Sequence, residues 1–339
     1  MNRLHHLKET LVQNIEDNKE YPNIEFVILD YNSSDGLEEW VKKDLQQYID
    51  SGVLKFYRTT DNPYFDRSHS RNVLFRLSSG DIICNIDADN FAGRGFASYV
   101  NDCFQQEQTI YLVADTKKRF YFLRNAFGRF CVRRGDYLRI GGLDEEMKSY
   151  GSETVDLYER LELAGLNEKV IEKTSFLQTI SHGDEERISN EVFLKTLAHF
   201  YIHFISQEES EFLILYKDFS FDTGFIIPEK DDIHLPAALK EQTFRKGQWS
   251  AQDNQVVLNV EKKPIKTLLR SENDLLDGEN KFYQLDDRNF LLSVAKNYSF
   301  IANVDKQRKN KIDKHAIVNE GKFGKAKVSD WRNSFIVLD

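Results

Sequence analysis

Two aspartates, Asp87 and Asp89, close the apolar run Asp81-Ile-Ile-Cys-Asn-Ile-Asp87. Two carboxylates at the end of a buried strand are costly unless a positive group sits beside them. A hard divalent cation is such a group, and it can in turn hold a diphosphate. The competing reading is structural: Asp and Asn cap helices well, and a helical stretch follows near Phe91 to Phe96. Asp30 ends an earlier apolar run, before the turn Ser33-Ser34-Asp35-Gly36. A carboxylate there can accept hydrogen bonds from a base or ribose, while Ser34 or Asp35 could equally cap the next helix. Arg71, in Ser68-His69-Ser70-Arg71-Asn72, could pair with phosphate or be a surface charge. Glu153 and Asp156 stand three apart on one helical face. Acids at a helix start also favour the helix dipole.

The elements that must carry these residues are legible as periods. Leu4, Leu7, Leu11 and Ile15 predict an opening amphipathic helix. Ile24 to Asp30, Val53 to Arg58 and Asp81 to Asp87 read as strands. Helical stretches are expected at Leu37 to Ile49 and Ser68 to Leu77. This alternation predicts a mostly parallel α/β sheet with ligands at the carboxyl ends of strands. The chain opens on a helix where a nucleotide-binding α/β domain leads with a strand, so the first strand is expected to be lacking or trimmed. A helix is expected at about 190–206 from Phe193, Leu197, Phe200 and Phe204. His199 and His203 have ligand spacing on it, but lie among aromatics and read as packing. Beyond 210 the runs Phe212 to Tyr216, Gly224 to Ile227 and Gln255 to Val260 are strand-like, with a late helix at about 287–303. A domain boundary is placed near 210.

The 339 residues are 40% hydrophobic and 13% aromatic, enough for a core, so wholesale disorder is excluded. The net charge of −9 argues against a general nucleic-acid partner, which needs Lys and Arg for phosphates. Three irregularly spaced cysteines suggest neither a disulfide framework nor a thiolate zinc site, and fit a reducing compartment. No run approaches the roughly 20 apolar residues of a membrane span. The start lacks the apolar centre of a signal peptide. The expectation is a soluble, cytoplasmic protein with no integral membrane segment, peripheral attachment to the inner face of the membrane remaining open.

Five segments in order, LDYNSSDG (29–36), SHSRN (68–72), SSGDIICNIDADN (78–90), RRGDYLRIGGLDEEMKSYGSETVDLYERL (133–161) and ISHGDEER (180–187), resemble a family 2 type glycosyltransferase with the GT-A fold. The later segments resemble the galactosyltransferase-like half of some members. Each motif alone is weak; five in order are specific, and they cover roughly the first 190 to 205 residues. The resemblance implies a GT-A domain over 1–210 and leaves 211–339 as a smaller β-rich accessory domain of unassigned role. Trp249 and Trp331 there read as core filling.

The resemblance further implies a metal-dependent transfer from a UDP-linked nucleotide sugar to a glycan or polysaccharide acceptor, with inversion. Asp89, Asp87 and His182 would hold Mn2+ or Mg2+. Asp30 and Asp35, with Arg71 and Asp87, would bind the donor. The family usually has Glu-Asp where this chain has Glu153-Thr154, and Thr154 cannot take a proton at neutral pH. Glu153 or Asp156 would then be the base. The alternative is a catalytically impaired GT-A scaffold that binds a sugar or nucleotide sugar. A nucleotidyltransferase is disfavoured, because no Gly-rich basic loop follows the first strand.

Overall fold

The computed structural model describes residues 1–114, 126–226 and 245–339. Two compact units emerge: Met1–Val192 with Lys296–Asp339, and Phe193–Ala295.

The first unit begins with α1 (Leu4–Asn18), whose Leu11 and Ile15 are buried against Val41, Leu45, Leu54 and Phe56. β1 (Phe26–Tyr31) and β2 (Leu54–Thr59) pair in parallel from Phe26↔Leu54 to Tyr31↔Thr59. The single helix expected between them is two, α2 (Leu37–Asp44) and α3 (Gln46–Asp50). At the junction Leu45 leaves helical geometry (φ −117°, ψ 12°), its side chain buried in the core. α4 (Arg67–Leu77) is capped by Asp66, which accepts from the His69 N–H at 2.9 Å. There follow β3 (Ile82–Asn85), α5 (Phe96–Gln106), β4 (Ile110–Val113), β5 (Phe130–Arg133), α6 (Arg134–Arg139), α7 (Glu153–Leu163), β6 (Asn167–Val170) and α8 (Asp184–Ile188).

The expectation of a mostly parallel sheet is corrected. Two four-stranded sheets form, and β3 and β1 each stand at the end of theirs. In the second sheet, ordered β3-β5-β4-β6, β5 lies antiparallel to both neighbours, and only β4–β6 is parallel. The β3–α5–β4 alternation looks like a parallel crossover, but β5 takes the place beside β3. No helix begins at Phe91: α5 starts at Phe96 behind Gly95, whose φ is +78°. Asp87 and Asp89 therefore cap no helix at Phe91, contrary to the capping expectation.

α9 (Val192–Thr196) leads into the second unit. The helix expected to 206 is corrected to β7 (Leu197–Phe204), so His199 and His203 share a strand. Phe200, Tyr201 and Ile202 are all buried, so both strand faces are covered and neither period shows cleanly in the sequence. β8 (Ser210–Tyr216), β9 (Ser220–Ile226), β10 (Arg245–Gln252), β11 (Gln255–Val260), β12 (Lys263–Ser271), β13 (Asp274–Asp277) and β14 (Asn280–Gln284) complete a closed, wholly antiparallel barrel of eight strands with β7. Ile227, the last residue of one expected strand, lies outside the described residues. Trp249 packs on the barrel core, as core filling requires.

The late helix, α10 (Arg288–Ile312), is longer than expected and crosses from one unit to the other. β15 (Ala326–Asp330) then returns to the first sheet, antiparallel to β2 at Ser329↔Arg58, with β16 (Phe335–Leu338) outside it. Ala326 and Val328 are buried with Val73, and Trp331 packs on the α1–α3 cluster. The chain therefore does not divide at 210: residues 296–339 belong with the first unit because their apolar strand completes its sheet.

A buried polar network ties α10 to α7. Arg160 and Asp156, both 1% exposed, pair at 2.6 Å. Asn310 donates to Asp156 Oδ1 and Asp144 Oδ2, each at 2.9 Å. Burial raises the Asp156 pKa, although Arg160 and Asn310 pull the other way. Removing one member of a buried ion pair leaves the other charge uncompensated. Arg160→Ala should lose about 3–5 kcal/mol of stability in urea unfolding, whereas an exposed control such as Lys8→Ala should lose under about 0.5 kcal/mol.

Candidate active site

The loop that follows β3 is irregular and cannot satisfy its own backbone groups. α1 does this with a buried polar stripe at four-residue spacing, His6, Thr10, Asn14 and Asn18. Thr10 Oγ1 donates to Ala88 O at 2.7 Å. Asn14 donates to Asn90 O at 3.0 Å and accepts from the Ala92 N–H at 2.7 Å. Asn18 does the same for Gly93 O (3.2 Å) and the Ala97 N–H (2.8 Å). From the other side Arg129 donates to Asn90 Oδ1 at 2.9 Å and to Phe91 O at 3.0 Å. Burial lowers the Arg129 pKa to about 10, which still leaves it charged at neutral pH.

The loop held in this way carries Asp89 into the wall of a cavity of about 260 Å3. Asp89 Oδ2 meets His182 Nε2 at 2.7 Å, and Asn90 donates to Asp89 Oδ1 at 2.8 Å. Residues 93 positions apart thus aim one carboxylate oxygen and one imidazole nitrogen at one point. That is a donor pair first-row divalent cations accept. His6 is buried beside it, its ring centroid 5.3 Å from that of His182. Burial lowers the His6 pKa, with Glu186 and Asp89 pulling the other way.

Asp87 lines the same cavity. Its Oδ1 accepts from Arg71 at 3.1 Å and from Asn85 at 3.0 Å. Burial works to raise its pKa, but Arg71 and these hydrogen bonds outweigh it and hold the carboxyl below its usual range. Gly128 allows this: a Cβ there would lie 2.9 Å from Asp87 Oδ2 and 3.2 Å from Arg71 Nη2. Arg71 also donates to Glu153 Oε1 at 3.2 Å. Burial opposes its charge, yet the two carboxylates raise its pKa. Arg67, another cavity residue, donates to Glu191 at 2.7 Å and lies 5.1 Å from the Tyr150 ring centroid. At the rim Glu186 gathers Arg3 (3.1 Å), His6 (3.4 Å) and His5.

Asp87, Asp89, His182 and Arg71 all line this one cavity. Asp30 is buried at the end of β1; its Oδ1 accepts from Ser33 N–H at 2.8 Å, and its Oδ2 pairs with Arg58 Nε at 3.5 Å. Asp35 lies elsewhere: its Oδ2 accepts from Leu4 N–H at 2.8 Å, at the start of α1. Glu153 is buried and meets the cavity only through Arg71. Asp156 is spent in the network with Arg160 and Asn310, so it does not line the cavity. Sequence reasoning missed Arg3, His6, Arg67, Glu186, Arg129 and the Thr10–Asn14–Asn18 stripe. The stripe had a signal, a polar row at helical spacing beside the leucine row of α1. The arginines had none.

The family model for glycosyl transferase family 2 matches residues 1–126. The match covers the N-terminal segment that carries Asp30, Arg71, Asp87 and Asp89. Among solved structures, the catalytic domain of Drosophila beta1,4-galactosyltransferase 7 in complex with xylobiose is similar at 18% identity, with a TM-score of 0.33 over 54% of this chain and 90% of that one. A mutant of the same Drosophila enzyme, in complex with manganese, UDP-Gal and xylobiose, is similar at 16% identity, with a TM-score of 0.32 over 82% and 99%.

Asn14→Ala removes two buried hydrogen bonds and strands Asn90 O and the Ala92 N–H. It should cost about 2–6 kcal/mol in unfolding, since each stranded group costs about 1–3 kcal/mol. It should also weaken divalent-cation binding measured by calorimetry, because the loop bearing Asp89 loses its anchor.

Proposed function

We propose that the chain transfers a sugar from a nucleotide-sugar donor, a UDP-sugar, to a hydroxyl of a glycan or polysaccharide acceptor, with Mn2+ or Mg2+ held by Asp89 and His182. The observation that carries this reading is the convergence of Asp89 Oδ2 and His182 Nε2 in a cavity also lined by Arg3, Arg67, Arg71 and Asp87. The nitrogen donor favours Mn2+, since Mg2+ prefers oxygen ligands.

Each residue then has a task. The cation supplies neutralisation of the departing diphosphate. Arg71 and Arg67 are pre-charged guanidinia that can take phosphate oxygens bidentately. Asp87 accepts from the ribose or joins the metal. Asp30 Oδ2, which lies 3.5 Å from Arg58 Nε, is an acceptor for the base or ribose. Glu153 is the remaining acid for deprotonating the acceptor hydroxyl, and to act it must be released from Arg71. Attack of that oxygen on the anomeric carbon, as the sugar–phosphate bond breaks, gives inversion.

Thermal unfolding should show the donor site directly. UDP with Mn2+, at about 100 times its dissociation constant, should add roughly 2.7 kcal/mol of stability. UDP alone should add much less, and Asp89→Ala should erase the Mn2+ requirement. An unchanged Mn2+ requirement in that variant would remove the metal assignment.

A specific observation favours a second reading. Thr154 occupies the usual position of the base, and neither Glu153 nor Asp156 lines the cavity. On that reading the chain binds the nucleotide sugar without turning it over. The two readings separate on Glu153→Gln. The transferase reading expects kcat to fall about 100- to 10,000-fold with donor affinity kept. Purified wild-type protein that binds UDP–Mn2+ but shows neither transfer nor donor hydrolysis would support the binding protein.

A further inference from the structure

The barrel has an apolar core of Tyr201, Leu213, Leu215, Phe221, Val256, Leu258, Leu268, Leu275 and Phe282. Side chains two apart on a strand share a face, so the next inward position on each strand can be read off. On β7 it is His203, two past Tyr201; on β8 Glu211, two before Leu213; on β9 Thr223, two past Phe221. On β12 it is Lys266, two before Leu268, and on β13 Asp277, two past Leu275. The pairing puts His203 opposite Glu211 and Arg245 opposite Thr223. One mouth of the barrel is thus ringed by charged and hydroxyl groups above an apolar floor.

These groups enclose a cavity of about 450 Å3, bounded by Glu211, Thr223, Arg245, Lys266 and Asp277 over Leu258 and Leu268. That volume falls in the roughly 300–1,000 Å3 range of small-molecule sites, for which barrel mouths are a favoured place. Lys266 is engaged, with Asp277 at 2.9 Å and the Phe282 ring centroid at 4.9 Å. Glu211 and Arg245 make no hydrogen bond or close ion pair with another described residue, although Lys266, His203 and Arg245 all act on the Glu211 charge from a distance. Burial raises the Glu211 pKa, as it does for a carboxylate short of donors.

We propose that this mouth is a binding subsite for a neutral saccharide, whose hydroxyls bridge the Glu211 carboxylate and the Arg245 guanidinium. Two carboxylates and two cations balance around the cavity, so a charged ligand of either sign meets as many like charges as opposite ones and gains no net preference. A hydroxyl both donates and accepts, and vicinal hydroxyls satisfy an acceptor and a donor at once. The inference concerns the barrel alone and is independent of the proposed transfer reaction.

The test is calorimetry and saturation-transfer NMR on the full chain, with lactose, maltose and cellobiose as probes and glucuronic acid and glucosamine as charged controls. At least one neutral disaccharide should bind at millimolar concentration, with the charged sugars weaker. Glu211→Gln is isosteric and Arg245→Met sits at a strand start, so both should melt as wild type. Each should weaken that binding by at least about tenfold. The UDP–Mn2+ thermal shift should be unchanged in both. Absence of binding by all three disaccharides overturns the proposal. So does preference for a charged sugar, or binding that survives both substitutions in folded protein.

Discussion

Five hydrogen bonds from three residues of α1 hold the segment from Ala88 to Ala97, and the rest of the first unit's cavity depends on them. Among the described residues that segment joins a ladder only at a bridge, where Phe91 N–H donates to Gln178 O at 2.9 Å and Ile180 N–H to Asp89 O at 2.8 Å, so other peptide groups in it are met by side chains. Asparagine suits the task, because its amide offers a donor and an acceptor to successive backbone groups. The spacing of four along a helix of 1.5 Å rise lets Thr10, Asn14 and Asn18 track the loop in steps of about 6 Å. The same row continues to His6, which reaches the cavity beside His182. One helix face thus sets both the backbone that carries Asp89 and the surroundings of its partner.

Charge is the second constraint. A chain of net charge −9 gathers Arg3, Arg67 and Arg71 around one cavity, and each is matched to a carboxylate: Glu186, Glu191, and Asp87 with Glu153. Pairs of this kind add little net stability, because desolvation or solvent screening offsets their attraction. Their effect is to fix each guanidinium in place before any anion arrives. The carboxylates act as place-holders, and a phosphate that enters must compete with them for the same N–H groups.

The sequence made the apolar strands and their polar ends legible, and with them the places of Asp87, Asp89 and Arg71. His182 came from a resemblance in order of motifs, since a lone histidine carries no local signal. Asp156 misled because spacing puts it on the face of Glu153, while its real partners are Arg160, one turn away, and Asn310, 154 residues on. The stretch around Phe200 misled for another reason. A strand covered on both faces is apolar throughout, so its period is lost. The antiparallel β5 was invisible because strand order depends on contacts that no local pattern records.

Because β15 pairs with β2, the first unit is written in two pieces with the whole barrel between them. On the ribosome, Leu54–Thr59 emerges long before Ala326–Asp330, its sheet neighbour. During that interval β2 is an open edge, and Val73 lacks the apolar cover that Ala326 and Val328 later provide. The barrel, with its eight sequence-adjacent antiparallel strands, can close while the unit that precedes it is still waiting for its last strand. The unit whose synthesis starts first is thus the one whose last strand is made last.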